Sequence, residues 1–110
     1  MEKKVLKIAD VDSKYLYEGP RYKTLGPNSG EEFRLSTLLP WLRQLRTGEI
    51  GTVDFSGTKM YSPSFLEEAF GGAVRDGFGP QVSLLVYENT DKFYEKKIKQ
   101  YIKDATQKIK

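Results

Sequence analysis

The chain has 110 residues, of which 38% are hydrophobic and 30% are charged, and its formal net charge is +3. This balance is typical of one folded domain rather than of a disordered chain. Because cysteine and histidine are both absent, the composition excludes disulfides, thiolate catalysis, most zinc sites and the usual histidine general base. No apolar run approaches the roughly 20 residues that a membrane helix needs, and we expect a cytoplasmic protein without a signal peptide.

The N-terminal part of the chain predicts a strand followed by turns. Residues 5–11, VLKIADV, predict the strand. The pairs Gly19-Pro20 and Gly26-Pro27 then predict turns. Between them, residues 15–22 are rich in tyrosine and predict either a short second strand or an ordered loop.

A helix is predicted to begin at Ser29. Glu32 follows three residues later, which is the spacing of a capping box. An apolar stripe then continues to Leu45. Pro40 lies inside that stripe and predicts a kink or a split, because proline cannot donate the helical hydrogen bond. Gly48 is the predicted end of this helix.

The second half of the chain alternates between strands and helices. The pattern predicts a strand over 50–57, a helix over 64–77 and a loop over 77–81. A nearly continuous apolar run predicts another strand over 82–88. The last segment, 91–110, predicts a helix capped by Thr90 or Asp91.

This order of elements predicts an α/β fold in one domain that spans residues 1–110. We expect a mainly parallel or mixed sheet of about four strands, with three or four helices packed on it.

The segment from residue 54 to residue 66 reads DFSGTKMYSPSFL. It resembles the strand-turn-helix segment D-[LF]-S-G-x-x-x-x-D-S-S-G-L of anti-sigma-factor antagonist domains, which have the STAS fold. Ser64 corresponds to the serine that those proteins phosphorylate. The residues that fit the pattern are Asp54, Ser56, Gly57 and Leu66, and those that depart from it are Ser62, Pro63 and Phe65.

Two further blocks resemble a divergent bacterial branch, the STAS-like domains of unknown function. The blocks are GPNSGEEF, residues 26–33, and SFLEEAFGG, residues 64–72. The resemblance extends over roughly residues 5–87. It implies a small STAS-like domain that acts as a regulatory, protein-binding module. The implied partner is a histidine-kinase-like ATPase, acting as serine kinase or anti-sigma factor.

Ser64 has two interpretations. It is either a helix cap, since Glu67 follows it at capping-box spacing, or a phosphorylation site. A rival helix start has Ser62 as the cap and Pro63 as the first helical residue. The predicted partner-binding residues are Asp54, Ser56, Ser62, Ser64, Phe65, Glu67 and Glu68.

An enzyme, a metal site and a cofactor are not expected. The adjacent carboxylates Glu67 and Glu68 diverge on a helix and suit its first turn electrostatically. The last helix is rich in lysine, so a nucleic-acid-binding accessory domain is the alternative function. Arginine is absent there and acids are interleaved, which is more typical of a solvated helix face. A further alternative is a purely structural oligomerisation module, such as a homodimer.

Overall fold

The computed structural model of the chain describes residues 3–8, 21–26, 29–58 and 63–108, and three parallel strands lie at its centre. The central strand is β2 (Ile50–Asp54), which pairs with β1 (Lys3–Lys7) on one side and β3 (Val86–Glu88) on the other. The predicted α/β class is therefore confirmed. The described residues form three strands, where about four were predicted.

Helices connect the strands and follow the last of them. Each crossover between parallel strands contains helical structure, as parallel pairing requires. The described residues contain a 3-10 turn at Lys23–Leu25 and four helices. Helix α1 comprises Gly30–Phe33, the π-helical Arg34–Leu38 and Leu39–Gln44, and α2 comprises Pro63–Leu66, the π-helical Glu67–Gly71 and residues 72–76. Helix α3 is Gly79–Ser83 and α4 is Lys92–Lys108.

The helices cover one face of the sheet because the strands alternate apolar side chains toward them. Leu6, Val53 and Tyr87 lie opposite one another in register, and all three are buried in the hydrophobic core. Val5 and Val86 point to the other face and are about half exposed. The core therefore lies between the sheet and the three long helices, α1, α2 and α4.

Helices α1 and α2 approach each other closely near their N-terminal ends. A Cβ atom added to Gly30 would lie 2.5 Å from the carbonyl oxygen of Phe65, so only glycine fits there. Next to this contact, the rings of Phe33 and Phe65 pack with their centroids 5.8 Å apart. This contact holds the start of α2 in place against α1.

Three of the predicted helix boundaries are confirmed. The Ser29 hydroxyl accepts a hydrogen bond of 2.9 Å from the Glu32 N–H, which confirms the cap of α1. Asp91 Oδ1 accepts one of 2.7 Å from the Phe93 N–H at the start of α4. Gly77 has a φ of +97° and ends α2, because side-chain-bearing residues rarely adopt this conformation.

Pro40 neither breaks nor splits α1. The backbone at Leu38 and Leu39 stays helical, and the helix widens into a π turn just before the proline. There the Leu39 N–H donates to the carbonyl of Arg34, five residues back. The wider turn accommodates the proline ring, which would otherwise collide with the preceding turn.

Two predicted boundaries in the first half of the fold are corrected. The strand predicted over 5–11 is β1, which begins earlier and ends at Lys7. Helix α1 ends at Gln44, so Gly48, with φ +91°, belongs to the following turn. The predicted strand or loop over 15–22 lies outside the described residues except for its last two, which form a bend.

The predicted strands of the second half are also too long. The strand predicted over 50–57 ends at Asp54, because the chain turns at Ser56 and Gly57. Residues 79–81 of the predicted loop and residues 82–83 of the predicted strand instead form helix α3, and β3 begins only at Val86. Pro80 lies in the first turn of α3, where its fixed φ suits a helix.

Candidate functional site

The carboxylate of Asp54, at the end of β2, is hydrogen-bonded to Asn89, which directly follows β3. Asp54 Oδ1 accepts a hydrogen bond of 2.9 Å from the Ser56 N–H and one of 2.8 Å from the Asn89 side-chain amide. The Asn89 hydrogen bond, followed by the Ser56 one, lowers the pKa of Asp54 below its ordinary value. Asp54 thus stays ionised and orders the turn after the strand. Gly57 completes that turn with a φ of +82°.

Ser64 is exposed at the start of α2. Pro63 is the first helical residue of α2 and Ser64 the second, so Ser64 is not the N-cap. This supports the rival start in which Ser62 would be the cap, but Ser62 itself lies outside the described residues. The Ser64 hydroxyl therefore stands in the first turn of the helix, where backbone N–H groups lack intrahelical acceptors.

Three of the predicted partner-binding side chains have internal roles. Phe65 is only 1% exposed and packs in the core, so it does not contribute to the accessible surface. Glu67 is half-buried, and its carboxylate lies 2.6 Å from Arg21 Nη1 and 2.7 Å from Arg75 Nη1. Glu68 is buried and pairs with Arg34. Of the other residues in the predicted set, Ser64 is exposed, and Asp54 and Ser56 are partly buried.

The buried pair of Arg34 and Glu68 joins α1 to α2. Arg34 Nη1 donates to Glu68 Oε2 at 2.5 Å and to the Glu68 carbonyl oxygen at 2.7 Å. Arg34 Nε lies 3.0 Å from Asp76 Oδ2, but its N–H makes no hydrogen bond to that oxygen or to any other described residue. Gly72 provides the space, since a Cβ there would overlap the guanidinium of Arg34.

The ionic cluster of Arg34, Glu68 and Asp76 was not predicted from the sequence. Arg34 interrupts the apolar stripe of α1 at a buried position, and Glu68 precedes Gly72 by one helical turn on α2. A charged residue inside an apolar stripe, together with a glycine next to an acid on another helix, is the signal that could have indicated a buried pair. The cluster also explains why Glu67 and Glu68 are adjacent. Both carboxylates lie near Arg21 and Arg75, and Glu68 in addition pairs with the buried Arg34.

Within the described ranges, no three acidic side chains come together as a metal site would require. The same residues contain no helix with both the length and the apolar character needed to cross a membrane.

The family comparison gives one match. A family model described as "STAS-like domain of unknown function (DUF4325)" matches residues 29–92, more than half of the chain. The matched region begins at the cap of α1 and ends at the start of α4, so it includes the α1–α2 contact and the buried ion pair. Among curated proteins and solved structures, none matches the chain.

Proposed function

Because this chain belongs to the family of STAS-like domains of unknown function, we propose that it is a non-enzymatic regulatory module that binds a protein partner. The partner contacts the carboxyl-edge surface, which we define as Asp54, Ser56, Ser64 and Asn89. Phosphorylation of Ser64 switches that contact, and the partner is a histidine-kinase-like ATPase or anti-sigma factor.

The exposed position of Ser64 is the observation that supports this proposal best. Its neighbours Phe65 and Leu66 are buried, so the helix is anchored while the hydroxyl faces outward. Parallel α/β sheets bind partners and ligands beyond the carboxyl ends of their strands, and α2 begins at that edge. A kinase can therefore reach Ser64 without unfolding the domain.

A phosphate at Ser64 would be stabilised where it forms. Helix α2 is continuous over residues 63–76, and the N-terminus of such a helix carries a partial positive charge. The phosphate would add nearly two negative charges to the carboxyl-edge surface, which already carries the ionised Asp54. We expect the affinity for the partner to change by roughly 1–3 kcal/mol, the usual size of such a switch.

The test compares the proteins that bind to the wild type with those that bind to variants at Ser64. Immobilised wild type, Ser64→Ala and Ser64→Glu capture proteins from a lysate of the source organism, and mass spectrometry identifies them. Ser36→Glu is the matched control, because Ser36 is also exposed but lies in the middle of α1. We expect an ATPase that binds the wild type, Ser64→Ala and Ser36→Glu but not Ser64→Glu.

The captured ATPase then allows a direct assay of phosphorylation. With ATP added, we expect one phosphate on Ser64 and none on Ser36 or Ser83, located by peptide mass spectrometry. The proposal is wrong if no ATPase is captured, or if phosphate is transferred to Ser36 or Ser83 as readily as to Ser64.

The alternative, binding of nucleic acid, would use α4. One lysine of this helix, Lys99, is paired with Glu95 at 2.9 Å, and Lys97 lies over the ring of Phe93. Titration with DNA and RNA at two salt concentrations separates the alternatives, since phosphate contacts give a steep salt dependence. The lysines exposed along α4 are Lys92, Lys96, Lys97, Lys99, Lys103 and Lys108.

A further inference from the structure

A cleft of about 380 Å³ lies between α3, β3 and α4, away from the carboxyl-edge surface. Its apolar part is formed by Val82, Leu85 and Ile102, which are buried core residues. Lys99 and Lys103 line the same cleft from α4. The volume is within the range of small-molecule sites, which typically combine an apolar surface with a few polar groups.

Tyr87 contributes an unsatisfied donor to the wall of this cleft. Its side chain is 8% exposed, and its hydroxyl has no hydrogen-bond partner in the part of the chain that the structure describes. Burial raises the pKa of the Tyr87 phenol, so the group stays protonated and can donate at neutral pH. Buried polar groups are normally paired, because an unpaired one is costly. The exception suggests that a ligand supplies the missing acceptor.

The cleft also has an excess of positive charge. None of its lining residues is acidic. Lys99 pairs with Glu95 at 2.9 Å, whereas the helical neighbours of Lys103, three and four residues away on each side, include no acid. One ammonium group therefore remains next to the apolar surface without a carboxylate on its own helix face.

We propose that this cleft binds a small amphipathic monocarboxylate. The apolar body of the ligand packs on Val82, Leu85 and Ile102, and its carboxylate pairs with Lys103. The Tyr87 hydroxyl is buried in the wall of the cleft, so its hydrogen bond to the carboxylate forms only after the side chains around it shift. A single negative charge matches the ammonium of Lys103, which has no carboxylate on its own helix face, and the apolar surface matches an alkyl or aryl group. This site is separate from the proposed switch at Ser64 and does not depend on it.

Octanoate, with 1-octanol as the neutral analogue, is a suitable probe. Titration of the ¹⁵N-labelled wild type should give saturable amide shifts confined to residues 82–87 and 99–107. We expect octanol to bind about tenfold more weakly, because it lacks the charge that Lys103 pairs with.

Variants then assign the contacts. Lys103→Gln should weaken octanoate about tenfold and leave octanol unchanged. Lys96→Gln is the matched control, since Lys96 is exposed on the same helix but does not line the cleft. Tyr87→Phe should weaken octanoate several-fold with little change in the spectrum of the free protein.

The proposal is overturned if octanoate gives no saturable shifts, or if the shifts spread over the surface. It is equally overturned if Lys103→Gln binds octanoate as the wild type does. Lys103 is exposed and its variant should fold, so this outcome remains decisive even if Tyr87→Phe is unstable.

Discussion

The substitution Gly30→Ala tests the close contact between α1 and α2. The new Cβ would lie 2.5 Å from the carbonyl oxygen of Phe65, 3.1 Å from its Cα and 3.2 Å from Glu68 Cβ. Ordinary contacts begin at 3.4 Å, so the two helices must separate by up to about 0.9 Å. The oxygen belongs to backbone inside α2, and no side-chain rotation relieves the overlap.

The expected cost follows from two opposing effects. Overpacking of a well-packed contact costs about 1–3 kcal/mol. Alanine is favoured over glycine in a helix by up to about 1 kcal/mol, which offsets part of that cost. The separation would also stretch the buried pair of Arg34 and Glu68, one turn along α1. We therefore expect the free energy of unfolding to fall by about 2 kcal/mol, which corresponds to a decrease in Tm of roughly 8 °C.

Urea unfolding followed by circular dichroism measures this change, and the midpoint should fall while the m-value stays constant. Gly71→Ala is the matched control. Its Cβ would meet the Glu67 carboxylate at 2.5 Å, but this is the end of a flexible side chain, which can shift together with its partner Arg75. Any weakening of that ion pair is offset by the higher helix propensity of alanine. We expect Gly71→Ala to change the free energy of unfolding by less than about 1 kcal/mol. If Gly30→Ala is as stable as the wild type, the helices do not approach as closely as described.

Three further substitutions test single interactions in the fold. Ser29→Ala removes the N-cap of α1 and should lower the free energy of unfolding by about 1 kcal/mol, whereas Ser36→Ala should have little effect; equal losses would contradict the capping role. Hydrogen bonds from Arg75, followed by Arg21, hold the pKa of Glu67 below its ordinary value near 4.5. Glu67 therefore contributes its full stabilisation above pH 4.5, and this contribution is lost as the pH falls toward the lower pKa of the folded state. In Glu67→Gln the free energy of unfolding should therefore fall less steeply with decreasing pH below 4.5 than in the wild type. An unchanged pH dependence would exclude this role. Tyr87→Phe removes a buried hydroxyl that no described residue pairs with, and it should raise the free energy of unfolding by about 1 kcal/mol in thermal or urea melts. A decrease would show that the hydroxyl is satisfied.

Features of this fold with a local cause could be predicted from sequence. The cap at Ser29 depends on residues within one turn, and the end of α2 depends on the conformational freedom of Gly77.

Features that depend on tertiary packing could not be predicted. The apolar residues 82–88 suit a buried strand and a buried helix equally, and only Pro80 and the contacts of α3 decide for helix at Val82. Arg34 interrupts an apolar stripe, but the sequence does not identify its partners, because its burial depends on Glu68 and Gly72, far away in the chain. For the same reason, Phe65 and Glu68 were counted among the accessible residues although both pack inward.

The position of β2 at the centre of the sheet has a consequence for how the chain folds. Each of its pairing partners lies a full helical crossover away, so no two strands can join through a short hairpin. The chain must close a long loop, at a cost in conformational entropy, before the hydrogen bonds between two strands can form. We therefore expect the domain to fold more slowly than a helical bundle of equal length. During synthesis, Val53 lacks its neighbour Tyr87 until β3 has emerged from the ribosome. A nascent chain that stalls before that point would expose apolar side chains of α2 that are buried in the folded domain.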